Sequence, residues 1–327
     1  MRKPLVLGLC GVGLVLATAA GLSLGSGSAR GVDLFLPGSR AHAIVVDYRL
    51  PRDLLAELAG AGLAAVGAAF QSLLRNPLAE PYVLGVSGGA ALGATLAIAF
   101  GLGGGLFAAA ASVPAAAFVG GLAATALVWL LARAGRAGSA SILLAGVVVN
   151  SIAGACMLFV EALAEPDKLQ SLLWWLMGYL DAPAWPRLGF VAAYVVVGLG
   201  VLLADAARIN VLSLGDETAA SVGIDVRALE RRTLLACAAV VGAIVSVTGL
   251  VGFVGLVVPQ GMRRVVGPDL RILLPVSAFA GASVLVVCDT LVRVLAPVLH
   301  TEVPVGAITS LVGGPVFLVL LARARAD

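Results

Sequence analysis

Apolar runs of roughly twenty residues recur along the whole chain, and they limit its fold more than any other feature. Ten can be read, at about 4–24, 54–74, 82–101, 106–132, 141–163, 188–204, 234–251, 253–263, 272–296 and 303–321. A 61% hydrophobic content, 12% charged residues and a mean hydropathy of +1.07 exclude an ordinary soluble domain. The alternating ten-residue pattern of a membrane β-barrel is absent from the sequence. The expected fold class is all-α and polytopic, with about ten transmembrane helices in one domain over residues 1–327. The 41 glycines suit close packing of membrane helices.

Two runs are irregular. The first follows Arg2 and Lys3 and contains Ala17-Thr18-Ala19, which reads either as a signal-peptidase site or as part of a retained first span, the latter favoured by its length. The eighth has little more than ten apolar residues before Arg263 and is interrupted by Pro259, so it is either a short tilted crossing or re-entrant. Counting it as a crossing, with both termini cytoplasmic, puts most basic residues inside. Inside lie Arg2, Lys3, Arg75, Arg133, Arg136, Arg208 and the arginines of 227–232, 263–271 and 323–325. Outside lie Arg30, Arg40, Arg49, Arg52, Lys168 and Arg187. That bias has the expected sign.

The stretch 205–232 breaks the apolar pattern with four arginines and five acids, and is expected to lie in water. Ser213 with Asp216 reads as a helix start, Gly223 as a stop, and Asp225 as the cap of a helix entering the membrane. A short exposed helix of this kind suits docking of a soluble partner; an ordinary helical loop is the competing reading.

Candidate chemistry is sparse. Cys10, Cys156, Cys237 and Cys288 each sit in an apolar run and read as small buried hydrophobes, not disulfides or ligands. His42 and His300 are far apart, so no metal site is expected. Gly85-Val-Ser87-Gly-Gly89 has the spacing of a nucleophile elbow but opens a membrane helix, where a hydrolase needs a strand-to-helix turn and a histidine. No Walker A motif occurs, and no catalytic residue is assigned. Asp289 and Arg293 are four apart on one helix face and read as a neutralising pair. Most other spans lack charges at mid-membrane, which argues against a carrier built on buried carboxylates.

Several segments taken in order carry a resemblance. They are Arg49-Leu-Pro-Arg52, Gln71-Ser-Leu-Leu-Arg75-Asn76-Pro77-Leu78-Ala79-Glu80-Pro81, Leu84-Gly85-Val86-Ser87-Gly88-Gly89-Ala90 and Leu143-Leu-Ala-Gly146. Then come Trp175-Leu-Met-Gly178, Gly252-Phe-Val-Gly255-Leu-Val-Val-Pro259 and Pro304-Val-Gly306. In this the chain resembles the FecCD-type ABC importer permeases for iron–siderophore, haem and cobalamin, over nearly its whole length after the first span.

The resemblance implies a type II importer permease working as a homodimer in a bacterial or archaeal cytoplasmic membrane. It implies two cytoplasmic ABC ATPase subunits and an extracytoplasmic substrate-binding protein as partners. ATP and Mg would be bound by the ATPase, no cofactor by this chain, and no nucleic acid is involved. Leu214, Gly215, Asp216, Glu217, Ala219, Ala220 and Gly223 match the family's cytoplasmic coupling helix. Arg49, Arg52 and Arg293 match positions that receive acids of the binding protein. Ser139, Ala140 and Ser141 fall where the family places its cytoplasmic gate. Ala140 and Gln260, which follows Pro259, depart from the residues expected at those places. The cargo is expected to be an iron chelate, siderophore or haem, or cobalamin. An ion-coupled secondary transporter without an ATPase is the alternative.

Overall fold

The computed structural model describes residues 3–25, 38–101, 106–134 and 139–324, and every element among them is helical. The first helix, α1, is Lys3–Ser23. A short α2, Arg40–Ala43, runs through a π-helical turn, Ile44–Arg49, into α3, Leu50–Leu73. Together they make an apolar helix of 33 residues, Ala41–Leu73. Arg49 and Arg52, expected in an outer loop, are therefore inside a helix. Pro51 brings no N–H, and the wider π turn just before it seats its ring without a break.

The expected single span from residue 82 is also shorter than its sequence suggests. A 3₁₀ turn, Pro81–Leu84, is followed by Gly85 at φ +82°, and only then does α4, Val86–Ala99, begin. Its 14 residues reach ~21 Å, short of a full crossing. Next come α5 (Leu106–Ala134), α6 (Ser139–Leu163), α7 (Pro166–Leu176) and α8 (Trp185–Leu212). The chain closes with α9 (Asp216–Ser221), α10 (Val226–Thr248), α11 (Val254–Val266), α12 (Leu270–Leu299) and α13 (Val305–Ala324). Among the described residues seven helices are long and apolar enough to cross a membrane, and α4 and α13 are shorter apolar helices; α11, the irregular eighth run, is too short and too polar to count with them.

The core is built around α3, nearly all of whose side chains from Leu55 to Leu73 are buried. It packs on α12, α8, α11, α10 and α1. Glycine sets two of these contacts. A methyl group on Gly60 would lie 2.2 Å from the Gly281 carbonyl oxygen, and one on Gly67 only 1.7 Å from that of Gly255. These backbones touch, which only residues without a side chain permit. A second group, α4, α5 and α6, packs on itself and joins the first through α10. Large apolar side chains stand exposed along the outer faces, among them Leu9 and Leu16 of α1, Leu144, Leu158 and Phe159 of α6, and Val196 and Val197 of α8. Lipid or another membrane helix must cover such surfaces.

Candidate functional site

At one end of the bundle α8 continues to Leu212, eight residues beyond its expected stop. Ser213 therefore closes a helix instead of starting one: its hydroxyl donates to the Asn210 carbonyl at 2.7 Å. The new helix, α9, begins after Gly215, whose φ of +141° favours glycine. Gly223, at φ +83°, follows its end, and Asp225 caps α10 by accepting the Ala228 N–H at 3.0 Å. Leu214, Asp216, Glu217, Ala220 and Gly223 are exposed; Gly215 is half-buried and Ala219 fully buried, pinning α9 to the bundle. One part of the stretch is not in water: Asp205 is completely buried beneath Arg208 and Arg232.

Arg75, which the sequence reading did not single out, braces this helix. It follows the C-terminal end of α3 in the left-handed conformation, φ +50°. Its guanidinium donates to the Leu212 carbonyl from Nε and Nη2, at 3.2 and 2.8 Å, and pairs with the Asp216 carboxylate. It thus satisfies a helix-end carbonyl of α8 and the first residue of α9 together. Neighbouring residues tie the same corner to α11. Gln71 donates to the Leu256 carbonyl at 3.2 Å, Arg263 to the Ser72 hydroxyl at 3.2 Å, and Gln260 to the Pro77 carbonyl.

The turn between α10 and α11 is held by the segment before α4. The Tyr82 hydroxyl donates to the Val251 carbonyl and accepts the Val251 N–H, both at 2.9 Å. Glu80 accepts the N–H of Phe253 at 3.0 Å. Burial pushes the Glu80 carboxyl above the usual carboxylate range, and this N–H offsets part of the rise. Phe253 is itself strained, at φ +67°, with its ring against Gly313. Ser87 donates to the Tyr82 carbonyl at 3.1 Å, and a histidine does not approach it among the described contacts. The backbone of α6 starts at Ser139; the side chains of Ser139 and Ala140 lie outside the described residues, and Ser141 is half-buried.

The opposite end of α3 carries a buried ion network. Arg49, Arg52 and Arg293 are only 4%, 7% and 6% exposed. The Arg52 guanidinium grips Asp289 through Nε at 3.0 and 3.1 Å and through Nη2 at 2.9 Å. Arg293 bridges Asp289 at 3.0 Å and Asp53 at 2.5 Å, and donates to the Gly21 carbonyl of α1 at 3.0 Å. Arg49 donates to the Leu22 carbonyl at 2.8 Å. Glu302, just before α13, lies 3.5 Å from Arg52 and accepts the Tyr179 hydroxyl. Three arginines meet three carboxylates here, Asp53, Asp289 and Glu302. The neutralising pair read from Asp289 and Arg293 is real, but it is one edge of a larger network that includes Asp53 and Glu302, which the sequence reading left out. Beside it a cavity of about 500 Å³ is lined by Trp174, Trp175, Tyr179, Asp181 and Glu302.

The two described ends thus hold an exposed helix on a rigid post and a sealed, charge-balanced joint. The FecCD transport family matches residues 13–323. The cobalamin import system permease protein BtuC of Halobacterium salinarum is 43% identical over 282 residues, 86% of this chain and 74% of that protein. The hemin transport system permease protein HmuU of Yersinia pestis is 41% identical over 283 residues, 86% of this chain and 84% of that protein. A solved structure described as an inward-facing conformation of a metal-chelate type ABC transporter superposes with a TM-score of 0.86. Its identity is 29%, covering 98% of this chain and 99% of that one. The chain has the type II importer architecture and belongs to the FecCD transport family of ABC importer permeases.

Proposed function

We propose that this chain is the membrane-spanning subunit of an ATP-driven importer, with two copies forming the path and two ATPase subunits seated on the α9 helices. The observation that carries this reading is α9 itself. It is exposed on Asp216, Glu217 and Ala220, with Leu214 exposed just before it, and fixed to the bundle through Ala219 and the Arg75 brace. A short rigid element can transmit a push; a floppy loop cannot. The arginines near that end, including Arg75, Arg208, Arg231, Arg263 and Arg264, support placing it in the cytoplasm, with both termini. The ATPase binds ATP and Mg, this chain needs no cofactor, and α6 from Ser139 to Ser141 closes the path on that side.

The binding protein docks at the opposite end. Arg49, Arg52 and Arg293 serve this by fixing the α2–α3 turn and the Glu302 loop, since the buried guanidinium groups of Arg52 and Arg293 are already matched to carboxylates and that of Arg49 is held by the Leu22 carbonyl. The cargo is a metal chelate: a ferric siderophore, haem or cobalamin. The relatives named for cobalamin and hemin support the macrocyclic cases.

The test is reconstitution with the ATPase and binding protein, followed by uptake of labelled ferric siderophore, haem and cobalamin. One of the three should accumulate only with hydrolysable ATP. Uptake driven by an ion gradient without the ATPase would overturn the reading.

A further inference from the structure

A cavity of about 800 Å³ lies between the last turns of α8 and the first turns of α10. Arg208, Arg231, Arg232, Asp225, Leu229 and Leu235 line it. Its charged wall is built from within. Asp205 beneath it is 0% exposed and holds two guanidinium groups at once. Arg232 donates to it through Nε at 2.8 Å and through Nη2, and Arg208 through Nη1 at 3.1 Å. Arg231 has no hydrogen-bond or ion-pair partner among the described residues, and it is exposed. Asp225 is occupied as the cap of α10. Three arginines against Asp205 and Asp225 leave a net charge of +1.

Two guanidinium groups held on Asp205, each with N–H groups to spare, and a third, unsatisfied one beside them match the oxygens of a phosphate group. A net charge of +1 matches a single phosphodiester anion. Position decides the source. Leu235, on the wall of the cavity and one helical turn after Arg231, is 55% exposed. The apolar outer face of the bundle thus runs straight into the arginines, at the level where lipid headgroups meet a membrane helix end. Basic pockets between helices at that level suit anionic headgroups.

We propose that this pocket binds a phosphodiester, supplied by the headgroup of an anionic phospholipid. Gly223 and Ile224 share its wall, so the lipid sits directly against the end of the α9 segment.

Native mass spectrometry tests this on the full chain, purified in detergent, exchanged into phosphatidylcholine and titrated with phosphatidylglycerol. Wild type and Arg187→Gln, a charge loss at the far end of α8, should hold phosphatidylglycerol equally. Arg208→Gln/Arg231→Gln should weaken it about 25-fold, at roughly fivefold for each arginine removed. Both side chains are exposed, and the Arg232–Asp205 pair survives in that variant. Should the double variant misfold, Arg231→Gln alone should still show about a fivefold loss. Unchanged phosphatidylglycerol binding in a folded variant would overturn the site. Displacement of the lipid by millimolar inorganic phosphate would overturn the lipid as its occupant.

Discussion

Replacing Asp289 should destabilise this protein more than replacing Arg52, one of the two arginines that contact it, and the structure sets the order. Asp289 is 0% exposed and bridges Arg52 and Arg293, themselves 7% and 6% exposed. In Asp289→Asn two guanidinium groups stay in the interior with reduced compensation. Arg293 keeps Asp53 at 2.5 Å, but Arg52 is left with Glu302 at 3.5 Å. Breaking a buried pair from one side costs about 3–5 kcal/mol. Arg52→Met is milder, because Asp289 keeps Arg293; losing charge-assisted hydrogen bonds alone costs about 1.5–3 kcal/mol. The double variant Arg52→Met/Asp289→Asn removes one charge of each sign and leaves no new orphan. It should therefore be less damaged than the sum of the single changes, by up to about 3 kcal/mol. Titration with sodium dodecyl sulfate in mixed micelles, followed by far-UV circular dichroism, gives these differences at equilibrium. Additive effects, or Arg52→Met costing more than Asp289→Asn, would refute the bridging role. If Arg52→Met instead leaves stability untouched and only slows association of a binding protein, the arginine is a free docking charge and the network is incidental.

Further expectations concern both ends and the core. Arg75→Ala should leave the permease folded yet lower the ATP hydrolysis of the assembled complex. Asp216→Ala should do so less, because the Arg75 bonds to the Leu212 carbonyl remain; equal hydrolysis rates in both variants would remove Arg75 from coupling. Reversing Asp216 and Glu217 together to arginine should abolish copurification of the ATPase without loss of folded permease. Gly67→Ala should give almost no folded protein, since its methyl would meet the Gly255 carbonyl at 1.7 Å. Gly200→Ala, with nothing within 4 Å, should be neutral or stabilising by up to about 1 kcal/mol, as fluorescence-detected size exclusion would show. Asp269 caps α12, accepting from the Arg271 N–H at 3.1 Å and from Asn210 at 2.7 Å. Slight burial raises its pKa, and these bonds with the Arg271 guanidinium outweigh that and depress it. A depressed folded value means stability that is full above about pH 4 and lost as pH falls through the folded value. Asp269→Asn should flatten that part of the acid-unfolding profile, and an unchanged profile would contradict the cap.

The number and order of membrane helices were legible because burial in lipid requires long apolar runs, which survive any detail of packing. The ends were not. A helix stops where its backbone groups find other partners, and three ends here depend on distant ones. At residue 204 the loss of hydrophobicity looked like an exit, but α8 goes on for two turns because Asp205 is neutralised from α10 by Arg232. At residue 82 the apolar pattern was continuous, but Tyr82 and Glu80 are bonded to Val251 and Phe253, and Gly85 absorbs the change of direction. At residues 49–52 two arginines looked like a loop because their acids lie elsewhere in the sequence.

The same separation explains which residues of the candidate site could be read. The α9 segment was visible because its determinants are local: two glycines with positive φ, a cap at Asp225 and acids too exposed for lipid. Nothing local marks Arg75 as a brace, since its partners Leu212 and Asp216 come 137 and 141 residues later. Arg52 and Asp289 are 237 residues apart, and Arg293 and Asp53 are 240 apart. Only the i, i+4 edge from Asp289 to Arg293 could be found by helical spacing. That edge alone suggested a balanced pair with two spare arginines nearby, free to meet a partner. Once Asp53 and Glu302 are brought in, Arg52 and Arg293 are both matched to carboxylates, and Arg49 is held by the Leu22 carbonyl. A chain that buries five charges at one end of its central helix, with Glu302 half-exposed beside them, and seats each against an opposite charge or a carbonyl of α1, has made that end a fixed joint. The proposed docking of a binding protein at that face would then fall to what the joint holds in place, the Glu302 loop and the aromatic cavity of Trp174, Trp175 and Tyr179 beside it.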